Sequence, residues 1–219
     1  MKNLPEAILF DLDGTLIHSA PDLCAAANHI CRQHGIEPFD LETIISFIGN
    51  GVPVLVKRLF DARKIALSDN EHQQAVADYL DYYDQHSTDL TAPYGGVTGA
   101  LDWIKGEGVL MGVVTNKPEA PAIAILKTLN LDQYFDTVVG GDTTPAKKPD
   151  PAPYLAACKK LAIAPSQSIY VGDSETDART AKAANVPFVL FTQGYRNLSI
   201  EDIGPWQKFD HFDQFRGLF

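Results

Sequence analysis

Asp11 and Asp13 stand two residues apart at the end of an apolar run, Ala7-Ile8-Leu9-Phe10, and are followed by Gly14 and Thr15. In an extended backbone, alternate residues share a face, so both carboxylates would point the same way. Like charges that close repel unless a cation or a shared proton relieves them. Gly14 lets the backbone turn and approach a ligand, and Thr15 adds a small hydroxyl. The pentapeptide fits an acidic turn after an edge strand. It also fits a divalent-metal site with a carboxylate nucleophile. The rest of the chain separates the two.

Three other apolar runs end in residues of the same chemical kind. Thr115 and Asn116 follow Val113-Val114, where a hydroxyl and an amide could contact a phosphoryl oxygen or cap the next turn. Asp173 follows Ile169-Tyr170-Val171-Gly172, with Asp177 four residues on. Asp177 faces back toward Asp173 if a helix has begun, or is an acid favoured by a helix N-terminus. Lys148 lies in Lys147-Lys148-Pro149-Asp150-Pro151, where two prolines stiffen a loop presenting lysine. Asp11, Asp13 and Asp173 together make an all-oxygen site for a hard cation. Mg²⁺ suits it best, since it takes one or two carboxylates, keeps waters and accepts a phosphate. Lys148 and the metal would supply positive charge, and Thr115, Asn116 and the backbone near Gly14 the hydrogen bonds.

The elements that must position these residues are legible from hydrophobic pattern. Val109–Thr115, Thr137–Val139, Ser168–Val171 and Phe188–Phe191 read as short buried strands. Amphipathic helices alternate with them over Ala122–Leu129, Pro151–Leu161 and Glu175–Ala184. Near-continuous apolar strands joined by helices predict a Rossmann-like parallel sheet covered on both faces, an α/β core. Ligands of such sheets bind beyond the carboxyl ends of the strands, where the candidates stand.

Between the first strand and the next, residues 18–90 read as helical throughout. Ser19 with Asp22, Asp40, Pro53 and Ser68 with Glu71 open four helices in turn. The expected organisation is therefore a core of residues 1–17 and 91–219 with an inserted four-helix domain at 18–90. The segment from Gln207 to Phe219 carries no readable signal, and His18 is placed near the hinge of the insertion.

Composition bounds the partners. The 219 residues carry a formal net charge of -10 with 45% hydrophobic residues, as in a globular protein with a substantial core. That charge argues against nucleic acid, which needs clustered Lys and Arg. Cys24, Cys31 and Cys158 lack metal-binding spacing and read as buried thiols. Neither a signal peptide nor a membrane-spanning run is evident, so the expected location is cytoplasmic with no membrane partner.

The four strand-end motifs in this order resemble those of haloacid dehalogenase superfamily phosphatases, and in detail the bacterial phosphoglycolate phosphatases. The matching strings are Asp11-Leu12-Asp13-Gly14-Thr15, Val114-Thr115-Asn116, Lys148-Pro149-Asp150-Pro151 and Gly172-Asp173-Ser174-Glu175-Thr176-Asp177. The resemblance covers nearly the whole chain, and the inserted helices correspond to the cap. It implies that Asp11 attacks phosphorus, becoming an aspartyl-phosphate, and also binds Mg²⁺. Asp13 would protonate the leaving oxygen and later activate water, its backbone carbonyl binding the metal. Asp173 would be the remaining direct ligand, with Asp177 supporting it through water. Thr115 would hold a phosphoryl oxygen, with Gly14 and Asn116 beside it, and Lys148 would bridge nucleophile and phosphate. Glu175-Thr176 departs from the Arg-Asn frequent in relatives.

Phosphomonoester hydrolysis by a monomer or homodimer is thus implied, with 2-phosphoglycolate as first substrate. A sugar-phosphate phosphatase or phosphosugar mutase shares the core, and a non-catalytic phosphate-binding regulatory module would predict a broken motif. For the anionic substrate the cap offers Asn50 and Gly51, at a glycine-rich turn before a helix N-terminus, and Lys57 and Arg58 on that helix. A helix stop and solvated basic residues explain the same four positions.

Overall fold

The computed structural model describes residues 4–219. It divides into two compact units, one running to His18 and resuming at Pro93, the other spanning Ser19–Ala92.

The first unit is built on a six-stranded sheet. Its strands are β1 (Ala7–Phe10), β4 (Leu110–Val114), β5 (Thr137–Val139), β6 (Ser168–Gly172), β7 (Phe188–Phe191) and β8 (Gln207–Phe209). They lie in the order β5-β4-β1-β6-β7-β8, and every pairing is parallel. The chain thus builds outward from β1 on one side, then crosses to the other. That reversal makes the β1 ends a topological switch point. Two short strands, β2 (Ile17–His18) and β3 (Ala92–Pro93), pair separately.

The alternation of β1 shows why its sequence is wholly apolar. Ile8 and Phe10 enter a core cluster with Met111, Val113, Val171 and Phe191. Leu9 points the other way, into a cluster with Val114, Tyr170, Tyr154 and Leu190. Both faces are dry, so neither tolerates a polar residue until the strand ends. Helices α5 (Val97–Gly106), α6 (Glu119–Thr128), α7 (Ala152–Lys160) and α8 (Glu175–Ala184) alternate with the strands.

The tail yields an element that pattern did not reveal. Gln207–Phe209 forms the edge strand β8, in register with Val189–Phe191. Phe209, Phe212 and Phe215 bury beside Phe10 and Phe191. Three residues with one buried side chain are too short for a periodic signal; the aromatic contacts that seat them are long-range.

The second unit holds helices α1 (Ala20–Gln33), α2 (Leu41–Phe47), α3 (Val52–Ala62) and α4 (Asp69–His86). Leu23, Ala27, Ile30, Ile44, Leu55, Leu59, Tyr79 and Tyr83 form one core. Asp40 caps α2 by accepting from the Thr43 N–H at 2.8 Å, and Ser68 with Glu71 forms a reciprocal capping box on α4. The expected Ser19–Asp22 box does not form: Ser19 makes no side-chain cap bond and is itself helical in backbone. Asp22 instead accepts from the N–H groups of Leu90 and Thr91 and, at 2.6 Å, from the Thr91 hydroxyl. A carboxylate 69 residues upstream of its strongest donor satisfied a tertiary need that outweighs the local cap. Among the described residues, no helix is long and apolar enough to cross a membrane.

Candidate active site

Strand β1 ends at Phe10, level with Val113 and Val171 of its neighbours. Asp11, Thr115 and Asp173 therefore emerge together, just past the last sheet positions of β1, β4 and β6. Asp11 and Asp173 are both buried, and Asp177 is completely so. Carboxylate oxygens of Asp11, Asp173 and Asp177 lie within 4.8 Å of one another.

Lys148 is the counter-charge. Its ammonium donates to Asp11 Oδ1 at 2.7 Å, Asp177 Oδ1 at 2.6 Å and the Tyr170 hydroxyl at 2.9 Å. All three N–H groups are thus engaged, which a buried ammonium requires. Burial alone would lower its proton affinity, but Asp11 and Asp177 outweigh burial and raise it, so the lysine is charged. The same burial pushes the Asp11 carboxyl up from 3.8 to about 7, Lys148 opposing the rise and Asp177 adding to it. Asp173 is held well above the ordinary carboxylate range by burial, then by Asp177 and Asp11.

Three carboxyl groups face one ammonium; were all three ionised, two negative charges would stand unbalanced in a dry site, and the raised Asp11 and Asp173 carboxyls express that conflict. A divalent cation would cancel those charges, and the donor set is hard oxygen throughout. The residues fit such an ion.

Asp173 is placed by its surroundings. It accepts from the Thr15 hydroxyl at 3.1 Å and from the Tyr195 N–H at 2.5 Å. Gly14 sits at φ +91°, and a Cβ there would collide with the Asp173 carboxylate. The glycine is needed for conformation and for space. Asp177 has direct structural partners of its own. Its Oδ1 takes Lys148 and Tyr170, and its Oδ2 accepts from the Ser174 hydroxyl at 2.6 Å and N–H at 3.2 Å. Asp177 anchors the lysine and closes the capping box of α8.

Asp13 pairs with a second lysine. The chain bends at Leu12, with the Gly14 N–H bonded to the Ile17 carbonyl at 2.9 Å, so simple strand alternation does not govern Asp11 and Asp13. Its two carboxylate oxygens each accept from Lys117 at 3.1 Å. The Asn116 amide brackets the Lys148 backbone, donating to its carbonyl at 3.1 Å and accepting its N–H at 3.0 Å. This ties the β4 end to the lysine loop. The Thr115 hydroxyl oxygen accepts the Lys117 N–H at 3.1 Å.

With this geometry in place, the matches to known proteins are specific. Residues 8–191 match the family model of the haloacid dehalogenase-like hydrolases. The chain belongs to that family. It is 44% identical over 211 residues to a phosphoglycolate phosphatase of Cereibacter sphaeroides, covering 96% of each. A phosphoglycolate phosphatase of Rhodospirillum rubrum is 38% identical, over 95% of this chain and 88% of that one. The crystal structure of a predicted phosphoglycolate phosphatase from Haemophilus somnus superposes with a TM-score of 0.93 at 31% identity, over 100% and 99% of the two chains.

Within this hydrolase Tyr170 and Lys117 carry site contacts that sequence reading did not assign. Tyr170 sits inside β6, where alternation marks it only as buried. Its hydroxyl reaches Lys148, the Val114 carbonyl at 2.9 Å and Asp177 at 3.1 Å. Tyr170→Phe is expected to lower unfolding free energy by about 1–3 kcal/mol, since it strips an acceptor from a buried ammonium. Denaturant unfolding measures this, and an unchanged midpoint would show the hydroxyl to be dispensable.

The expected cap residues lie in the helical unit. Gly51, at φ +87°, is the N-cap of α3, and Asn50 precedes it. Lys57 is exposed and pairs with Asp61 at 2.6 Å, one turn along α3. Arg58 donates to the Phe47 carbonyl at 2.8 Å, at the end of α2. Both side chains thus have local structural partners.

Proposed function

We propose that this hydrolase cleaves a small phosphomonoester, 2-phosphoglycolate first, in two steps through an aspartyl-phosphate on Asp11. The observation that carries the reading is Asp11 itself, a buried carboxylate at a strand end, 2.7 Å from a charged lysine and clustered with Asp173 and Asp177. The Cereibacter sphaeroides and Rhodospirillum rubrum relatives are phosphoglycolate phosphatases, which supports that ester as substrate.

In the first step an Asp11 oxygen bonds to phosphorus as the ester P–O bond breaks. Asp13 gives its proton to the departing alkoxide oxygen. In the second step water attacks the phosphoryl group, Asp13 takes the water's proton, and the Asp11–phosphorus bond breaks to release phosphate. Two easier displacements replace one difficult one. Lys148 meets negative charge developing on the phosphoryl oxygens, and it does so without reorganising because Asp177 and Tyr170 already hold it. Thr115 is assigned a hydrogen bond to a phosphoryl oxygen, and Asn116 keeps Lys148 in place from its backbone. Asp11, Asp173 and the Asp13 carbonyl would hold Mg²⁺, which when bound supplies further positive charge to the phosphoryl group. We assign the helical unit the role of a cap that excludes water during turnover. A cytoplasmic location accords with a small soluble ester as substrate.

The deciding assay is phosphate release from a panel of phosphate esters with Mg²⁺. Selective turnover of 2-phosphoglycolate supports the reading. Isomerised sugar phosphate without released phosphate would replace it with a mutase, and no turnover of any ester would leave only a binding module.

Burial also predicts how metal binding depends on pH. With the folded Asp11 carboxyl near 7 and its ordinary value at 3.8, the metal-free fold binds the proton more tightly than the unfolded chain. Its contribution to stability is therefore present below about pH 4 and is lost as pH rises toward 7. A cation must displace that proton at pH 5 but meets an ionised carboxylate at pH 8. The rise in Tm caused by Mg²⁺ is expected to grow from pH 5 to pH 8. Differential scanning measurements that show a constant or shrinking rise would contradict the assignment.

A further inference from the structure

Lys117 lies in the site, yet the two-step chemistry leaves it without a task. Its ammonium stands 3.1 Å from both oxygens of Asp13, and its side chain is only 7% exposed. The two residues are 104 positions apart, so the contact is made by the fold rather than by neighbouring sequence. The Lys117 backbone is pinned on both sides: its N–H donates to the Thr115 hydroxyl at 3.1 Å, and its carbonyl accepts the Gly141 N–H at 2.8 Å. A sequestered lysine on a stiffened turn is costly in side-chain entropy and desolvation. The site has already satisfied Asp11 and Asp177 with a different lysine.

We propose that Lys117 is the receptor for an anionic substituent on the leaving group, and so a specificity-determining residue. The inference rests on the phosphatase reading and names what its substrate must carry. Asp13 is the group that meets the leaving oxygen. In a two-carbon acid ester the carboxylate carbon is two bonds from that oxygen. An ammonium one hydrogen bond from Asp13 is therefore within reach of the carboxylate as soon as the leaving oxygen is seated. Lysine suits the task, because its compact point charge on a flexible stem can attract a second carboxylate and turn its rotatable donors toward it from their resting partners. This places anion recognition on the α/β unit, whereas the sequence pointed to Asn50, Gly51, Lys57 and Arg58 of the helical unit.

The test compares 2-phosphoglycolate with 2-hydroxyethyl phosphate, which has the same length but a neutral end. Wild type, Lys117→Gln and Lys117→Arg are assayed for kcat and KM on both esters with Mg²⁺, after denaturant unfolding of each. Lys117→Gln is expected to lower the ratio of kcat/KM values, acid ester over neutral ester, by about ten- to a hundredfold, the scale of a lost charge-assisted hydrogen bond. The change should fall mainly on KM for the acid ester, and Lys117→Arg should recover part of the ratio. An equal fall on both esters would show that Lys117 only positions Asp13, and an unchanged ratio would show that it touches no substrate anion; either overturns the proposal. A wild type that does not prefer the acid ester overturns the substrate reading itself, and that result is visible before any variant is made.

Discussion

Asp11→Asn is expected to abolish turnover, with a fall on the order of 10⁴-fold or more in kcat. An amide is a poor nucleophile toward phosphorus and cannot form the acyl phosphate that the two-step route requires. The fold should persist. Asparagine is isosteric, and its carbonyl can still accept from Lys148 where Asp11 Oδ1 does now at 2.7 Å. Replacing a carboxylate that burial already drives toward the neutral form removes little native charge stabilisation. Circular dichroism should overlay wild type, while quenched reactions analysed by intact mass should lack the phosphoryl adduct seen in the parent. Turnover within tenfold of wild type would remove Asp11 from the chemistry.

The second large effect is on stability. Lys148→Met is expected to cost about 3–5 kcal/mol of unfolding free energy, because it leaves Asp11 and Asp177 buried without their cation. The methionine fills the lysine's space, so the loss is electrostatic rather than a cavity. Asp11 and Asp173 would then be protonated at still higher pH, since Lys148 opposes the rise in both. Adding Asp177→Asn to Lys148→Met should recover part of the lost stability, because one of the stranded charges is gone while the Ser174 bonds can remain. Activity should not return, since nothing then meets the phosphoryl charge. Denaturant unfolding at pH 7 measures both variants. A Lys148→Met protein within about 1 kcal/mol of wild type would show that the buried pairs are worth no more than surface ones.

The two predictions separate what the site does from what holds it together. In the proposed mechanism Asp11 serves chemistry and is expected to tolerate neutralisation. Lys148 is expected to serve both, since its ammonium pairs with Asp11 and Asp177 at rest and would meet the phosphate during reaction. The divalent ion proposed for the site follows from the same arithmetic of charge.

Much of this was legible in the chain. Ala7–Phe10 is apolar at every position because both faces of a central parallel strand are buried, and the switch to Asp11 marks where the sheet ends. The Asp40 cap and the Ser68–Glu71 box are local, with donor and acceptor three residues apart, so their pattern is visible in sequence. Ser19–Asp22 has the same local pattern and failed, because Asp22 finds stronger donors at Leu90 and Thr91. Strand pattern marks Tyr170 only as a position in β6, and Gln207–Phe209 carries no local signal for the strand it forms.

Local spacing therefore determined the α/β alternation, the inserted helices and the kinds of chemical group at each strand end. Tertiary structure decided which charge meets which. Lys148 reaches Asp11 across 137 positions, and Lys117 reaches Asp13 across 104. Hydrophobic periodicity and helix caps are written within a few residues of each other, so they survive in one dimension. The strength of a charge depends instead on how dry its surroundings are and on which opposite charge lies within a few ångströms, and only the packed sheet sets those distances.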